Sequence, residues 1–385
     1  MKMDNALDSI SSKFLKWVQP IPIQRPLPIN EKELSAIESL AQRHNLLMLL
    51  YVQLKKYYNQ NSKNIDLHNY LEERKIAFLT NAAHSMRQKE IEKKILSLLK
   101  KEQIPAIVIK GNEIAMEIYN DPDCRTSVDI DILIKMSHAR RADTILTKAG
   151  YSRIDENPIG FWFSRLHHAQ YVHPQKDDII EVHWAFGIPN FFRLTSEKIW
   201  DEVIYTDSGQ YKLSPDMMLV QLLIHHQRHA FRELKILIDI LWTMWRYESE
   251  IDWSAFSEKL GDIGLVKTTQ ITLKQIRSLW TESSEEMQCL QKLDNEMNKM
   301  RCKAPGFLHS YFKMDIETGN LFNTTKDLIF FRLVLDRRSA ILFSFLKTIL
   351  PFPHAIKELY EDKRNWRLPL NYLRFIRWRL GEWRN

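Results

Sequence analysis

Two aspartates stand two residues apart in the run Arg125-Thr-Ser-Val-Asp129-Ile-Asp131-Ile-Leu-Ile134. Read as a strand, the run alternates its side chains between two faces. Ser127, Asp129 and Asp131 then share one face, and Val128, Ile130, Ile132 and Ile134 share the other. Same-face neighbours on a strand have Cα atoms roughly 6.5–7 Å apart. Both carboxylates can therefore converge on one divalent ion, or on two ions about 3.5–4 Å apart. Mg²⁺ suits such a set because it takes oxygen ligands and accepts a nucleotide's phosphates beside them. Mn²⁺ is the alternative cation. The other reading of the same spacing is a half-exposed strand carrying two solvated acids.

The flanking elements have to position those acids. Upstream, Ile104-Pro-Ala-Ile-Val-Ile-Lys110 reads as a buried strand, Gly111 as a turn, and Asn112 to Tyr119 as a helix. A glycine at such a turn lets backbone N–H groups face an anion at the helix N-terminus. Downstream, Ala169 to His173 and Ile179 to Trp184 read as a hairpin closed by Pro174 to Asp178. Alternation there turns Glu181 and His183 the same way and makes Glu181 a third inward carboxylate.

The order strand, glycine turn, helix, D-x-D strand, acidic strand resembles the polymerase-beta-type nucleotidyltransferase superfamily. More closely, IKGNEIAMEIYNDPDCRTSVDIDILI followed by IIEVHWAF is similar to a bacterial nucleotidyltransferase family known mostly from uncharacterised members. The likeness covers about residues 104–186, with fainter echoes at Ala41-Gln-Arg-His44 and Leu237-Ile-Asp239. It implies Mg²⁺-dependent transfer of a nucleoside monophosphate from a nucleoside triphosphate, ATP first, to a hydroxyl-type acceptor, with pyrophosphate leaving. Asp129, Asp131 and Glu181 would hold the metal, and Lys110, Gly111, Asn112, Arg125 and Ser127 would line the nucleotide site. The acceptor stays open between a small molecule and a peptide or protein. Two alternatives also stay open: transfer of the terminal phosphoryl group, and a catalytically silent binding or scaffold protein. One departure is plain. The superfamily opens its helix with Gly-Ser, whereas Gly111-Asn112 offers no hydroxyl, leaving Lys110 or Asn112 as substitutes.

The chain has 385 residues, 44% hydrophobic and 27% charged, with only ten glycines. Helical patterns dominate outside the middle, so the expected class is α+β. A small mixed-sheet core at 101–210 is flanked by a helical region at 1–100 and a helical domain at 211–385. A net charge of +7 permits polyanion or acidic-membrane contact without requiring it. Cys124, Cys289 and Cys302 are too few and too scattered for a disulfide framework or a zinc site. The polar N-terminus lacks a secretory apolar stretch, and the run from Ala340 is broken by Lys347 and Pro351. A cytoplasmic protein is the expectation.

Pro20, Pro22, Pro26 and Pro28 mark an extended strap. Leu34, Ile37, Leu40 and Ala41 follow a helical period, and a long helix is expected from about His68 to Lys101. Its core candidates are Leu71, Phe78, Leu79, Ile91, Ile95 and Leu98. Ser137 is placed to cap a helix over His138 to Lys148 that ends at Gly150, and Ser214-Pro215-Asp216 opens another.

His225 and His229 have metal-ligand spacing but lack an acidic base between them, so they read as packing or substrate-facing residues. Asp239 reads as an interhelix hydrogen-bond partner or as an orienting acid. His167, His168 and His183 read as core histidines or as groups beside a metal, Trp184 as core, and Arg125 as a partner for a triphosphate or a carboxylate. The segment KRNWRLPLNYLRFIRWRLGEWRN interleaves arginine with aromatics. It reads either as a packed helix starting at Pro369 or as a contact for RNA or an anionic membrane.

Overall fold

The computed structural model describes residues 10–20, 30–60, 65–154, 166–173, 176–188, 190–207, 209–281, 287–317, 332–349, 367, 369–374 and 377. Four helices lead in: α1 (Ile10–Val18), α2 (Glu31–Arg43), α3 (Leu47–Gln60) and α4 (Ile65–Lys101). Asn30 caps α2 by accepting the Glu33 amide, and the Glu33 side chain accepts from the Asn30 amide. This reciprocal pair fixes the phase of the helix, which buries Leu34, Ile37, Leu40 and Ala41 as the spacing predicts. Pro22, Pro26 and Pro28 of the expected strap lie outside the described residues.

Helix α4 has 37 residues and bridges two cores. Leu67, Tyr70 and Leu71 pack with the N-terminal helices, whereas Ile91, Ile95 and Leu99 pack beneath the sheet. Between these two anchorages Ile76, Leu79 and Met86 face outward. Leu79 is therefore not a core residue, and Leu99 takes the buried place assigned to Leu98. One continuous period cannot serve two neighbours that grip the helix on different faces.

The strands are β1 (Ala106–Val108), β2 (Asp129–Ile134), β3 (Ser152–Arg153), β4 (His168–His173) and β5 (Lys176–His183). They form a mixed sheet in the order β1-β2-β5-β4-β3. Only the central pair β2–β5 is parallel. Between β1 and β2 the chain forms α5 (Asn112–Ile114), continued by a π-type turn over Ala115–Tyr119, as the expected helix requires. Helix α6 (Ala139–Lys148) follows β2.

Ile130, Ile132, Ile134, Ile180 and Val182 bury against α4 and α6. The opposite face carries the acids and then, through Leu133, joins the larger core. Three expectations need correction. Val128 precedes the strand and is 80% exposed, because alternation holds only inside a paired strand. Ser137 lies within a 3-10 turn, Met136–His138, and α6 has no side-chain cap. The β4–β5 hairpin pairs as far as His173 with Lys176, so Lys176 to Asp178 belong to the strand and not to its turn.

Beyond the sheet come α7 (Ser196–Trp200), the small ribbon β6 (Val203–Tyr205) with β7 (Tyr211–Leu213), and α8 (Pro215–Arg228). Then follow α9 (Leu234–Arg246), α10 (Trp253–Ile263), α11 (Val266–Leu279), α12 (Gln288–Lys299), α13 (Gly306–Tyr311) and α14 (Arg338–Ile349). Ser214 caps α8 and Pro215 opens it, as read from the sequence. Ala230 and Phe231 both take positive φ, reversing the chain between α8 and α9. A single apolar core joins Phe14, Ile37, Ile107, Leu133, Leu237 and Leu290.

Residues 369–374 are helical from Pro369 onward, but most of the C-terminal basic-aromatic segment lies outside the described residues. No helix among the described residues is long and apolar enough to cross a membrane.

Candidate active site

Parallel pairing sets Asp131 directly opposite Glu181 and Asp129 opposite Ile179. Since both strands alternate in phase, the two carboxylates emerge on one face with His183, two residues beyond Glu181. One carboxylate oxygen each from Asp131 and Glu181 and one ring nitrogen of His183 lie within 4.8 Å of one another. His183 Nε2 donates to Asp131 Oδ1 at 2.8 Å and lies 3.1 Å from Glu181 Oε2. With two carboxylates as neighbours, that nitrogen must carry the proton. Gln170 Nε2 donates to Glu181 Oε1 at 2.6 Å.

Lys110 follows the first strand and sends its ammonium to Asp131 Oδ1 at 2.6 Å, in a pair that is nearly fully buried. Burial alone would raise the pKa of Asp131, but the hydrogen bond from His183 and the Lys110 charge outweigh it, and the pKa falls below the usual aspartate value. Glu181 is likewise held well below the glutamate range: burial opposes this, and His183 and His168 overcome it. Asp129 behaves differently. Burial first and Asp131 second raise its pKa, and its Oδ1 accepts from Ser127 Oγ at 3.3 Å. No group of three or more metal-type ligand atoms among the described residues includes it.

Gly111 takes φ +69° and ψ −133°, a combination that suits glycine and turns the chain tightly after Lys110. A Cβ there would meet Ser127 at 3.5 Å, so the turn and the start of β2 lie in contact distance. Asn112 serves structure at this point: its Nδ2 donates to the Ser85 carbonyl of α4 at 3.0 Å. Arg125 is buried and donates through Nε to Asp239 Oδ2 at 3.0 Å, while Tyr119 Oη donates to Asp239 Oδ1 at 2.6 Å. Of the two readings of Arg125, the structure makes the carboxylate pair, and Asp239 is that carboxylate.

His226 pairs with Gln275, and the ring of His225 stacks edge-on to His229. No metal-type group among the described residues contains any of the three. Cys124 is buried, and its surroundings, burial foremost, push the pKa of its thiol far up.

Two cations near the acids escaped the sequence reading. Arg228, at the end of α8, has its pKa lowered by burial, while Glu181 and Asp131 pull the other way. Lys235 on α9 donates to the Thr126 carbonyl beside β2, and burial followed by the Arg125 charge pushes its pKa down to about 7. The available signal was its spacing: Lys235 stands four residues before Asp239, on the same face of α9.

A divalent cation fits this donor set. Asp131 Oδ2 is buried with no hydrogen-bond partner among the described residues, leaving a strong oxygen ligand unused. The Lys110 ammonium already places positive charge against the same carboxylate.

Residues 30–281 match the family model described as "Uncharacterised nucleotidyltransferase". The chain belongs to that family. The match spans α2 to α11 and so includes every residue placed in the site above. Membership of a nucleotidyltransferase family makes the reaction class group transfer and the donor class a nucleoside triphosphate. No curated protein and no solved structure matches the chain.

Proposed function

We propose that this nucleotidyltransferase moves a nucleoside monophosphate from a nucleoside triphosphate, ATP first, to a hydroxyl-type acceptor and releases pyrophosphate. The observation that carries this reading is the register of Asp131 against Glu181, with a buried Asp131 oxygen that has no hydrogen-bond partner among the described residues. Asp129, Asp131 and Glu181 are the residues that would hold Mg²⁺, or Mn²⁺. When bound, such an ion neutralises the charge that develops on the phosphates and aligns the attacking oxygen.

The rest falls to the chain. Lys110 and Arg228 supply positive charge beside the acids, favouring the polyphosphate over uncharged competitors. The turn at Gly111 brings backbone against the start of β2, and Ser127 steadies Asp129. Lys235 holds the Thr126 carbonyl ahead of β2, and Asp239 holds Arg125 next to it in the chain. Glu181 keeps its charge well into the acid range, which suits a ligand better than a proton acceptor. The acceptor oxygen forms a bond to the α-phosphorus, the α–β bridging bond breaks, and the acceptor proton leaves to water.

The decisive experiment incubates the full chain and cell metabolite extract with ATP labelled in the α- or the γ-phosphate. Transfer of the α label to an acceptor, with release of pyrophosphate, is expected. Transfer of the γ label would make it a phosphotransferase, and no transfer by wild type beyond Asp131→Asn would overturn both enzyme readings.

A further inference from the structure

Three imidazoles lie together at the edge of the acidic group. One ring nitrogen each from His167, His168 and His183 lies within 4.8 Å of the other two. The sheet builds this arrangement. His168 and His183 are direct partners across the antiparallel pair β4–β5, and the Trp184 amide donates to the His167 carbonyl at 2.9 Å. Cross-strand partners hold their Cβ atoms about 4.5–5.5 Å apart, so the backbone alone forces the two rings together. Their centroids are 4.9 Å apart, and His167 meets His168 at 4.4 Å.

Hydrogen bonding does not account for the cluster. His167 and His183 are almost fully buried, yet Nδ1 of each has no partner among the described residues. His183 turns Nε2 to the two carboxylates and leaves Nδ1 without a hydrogen-bond partner among the described residues. His167 and His168 share one hydrogen bond between Nε2 and Nδ1 at 3.0 Å. Three rings, two of them buried, are thus held together around one mutual bond, and buried nitrogens without partners cost stability unless something fills them.

We propose that His167, His168 and His183 form a second metal position, taking a d-block divalent cation such as Zn²⁺. Imidazole nitrogen suits zinc, cobalt and nickel, whereas Mg²⁺ seeks oxygen. Zinc binds imidazole nitrogen at about 2.0–2.1 Å, so small ring rotations close the cage, and three histidines leave a fourth position free. Arg228 and Lys110 place like charge nearby, and Asp131 and Glu181 offset it. His183 belongs to both groups, which ties this position to the carboxylate position without making either depend on the other's reaction.

The probe is Co²⁺ alone, added to the full chain in excess Mg²⁺, because nitrogen-ligated Co²⁺ absorbs visibly and Mg²⁺ does not. Wild type should show a stoichiometric visible band that Zn²⁺ abolishes and Mg²⁺ leaves in place. His167→Gln and His168→Gln should each weaken Co²⁺ binding by at least about tenfold, with circular dichroism and melting checked for each variant. Asp131→Asn should lose nucleotidyl transfer and keep the band, so failure of the enzymatic reading is told apart from failure of this one. Absence of the band in wild type, its displacement by Mg²⁺, or its persistence in both folded glutamine variants would overturn the proposal.

Discussion

Asp131 and Glu181 are direct neighbours across the one parallel pair of the sheet, and His183 closes onto both carboxylates. Fifty residues of chain separate the two acids, so neither can be repositioned without moving a central strand. Such rigidity is what the proposed metal-holding role would demand, since ligands must be in place before substrate arrives.

Glu181→Gln keeps the shape of the side chain and removes its charge. Transfer should fall by about 100-fold or more, and the Mg²⁺ needed for half-maximal rate should rise, as read from initial rates across a Mg²⁺ series. An unchanged Mg²⁺ requirement would remove Glu181 from the ligand set.

Arg125 and Asp239 form a pair with almost no solvent exposure. Asp239→Leu strands a buried guanidinium and should cost about 3–5 kcal/mol. Adding Arg125→Met should restore most of that loss in urea unfolding, because an apolar pair of similar volume needs no partner. If the double variant is no more stable than Asp239→Leu alone, the coupling is absent.

Lys235 supplies a pH signature. Its folded pKa of about 7 lies below the unfolded lysine value. Below pH 7 both states hold the proton and the cost of burying the charge is felt in full. As pH rises toward 10 the folded state sheds the proton and the cost disappears. Lys235→Met should therefore raise the urea midpoint most at pH 6, with the advantage shrinking steadily to pH 10. An advantage that grows with pH would contradict the assignment.

Gly111 stands in a backbone region that other residues enter only under strain. Gly111→Ala should cost about 1–3 kcal/mol and lower transfer more than stability, since Lys110 and the turn facing Ser127 shift together. Thermal melting beside kcat for the same preparation measures both.

Much of this site was legible because its rules are local. Alternation put Asp131, Glu181 and His183 on their faces, and a glycine after Lys110 announced the turn. Proline behind Ser214 marked a helix start. The remainder is nonlocal. Nothing near Arg125 says that Asp239, 114 residues later, will be its partner, nor that Arg228 at a helix end will approach Glu181. Val128 and Ser137 show the local rules failing at element boundaries, where a strand has not yet begun or a turn has already absorbed the hydroxyl. Leu79 shows the helical period failing where no neighbour reads it.

The Arg125–Asp239 pair also has a place in time. A ribosome delivers Lys110, Asp131, Glu181 and His183 well before it delivers α9, so the acids can meet while Arg125 still lacks its counter-charge. A nascent chain that stops short of Asp239 carries a guanidinium destined for burial but with nothing to bury it against. The same chain lacks Lys235 beneath the Thr126 carbonyl. The buried charge pairing behind the candidate site is therefore complete only once α9 has emerged.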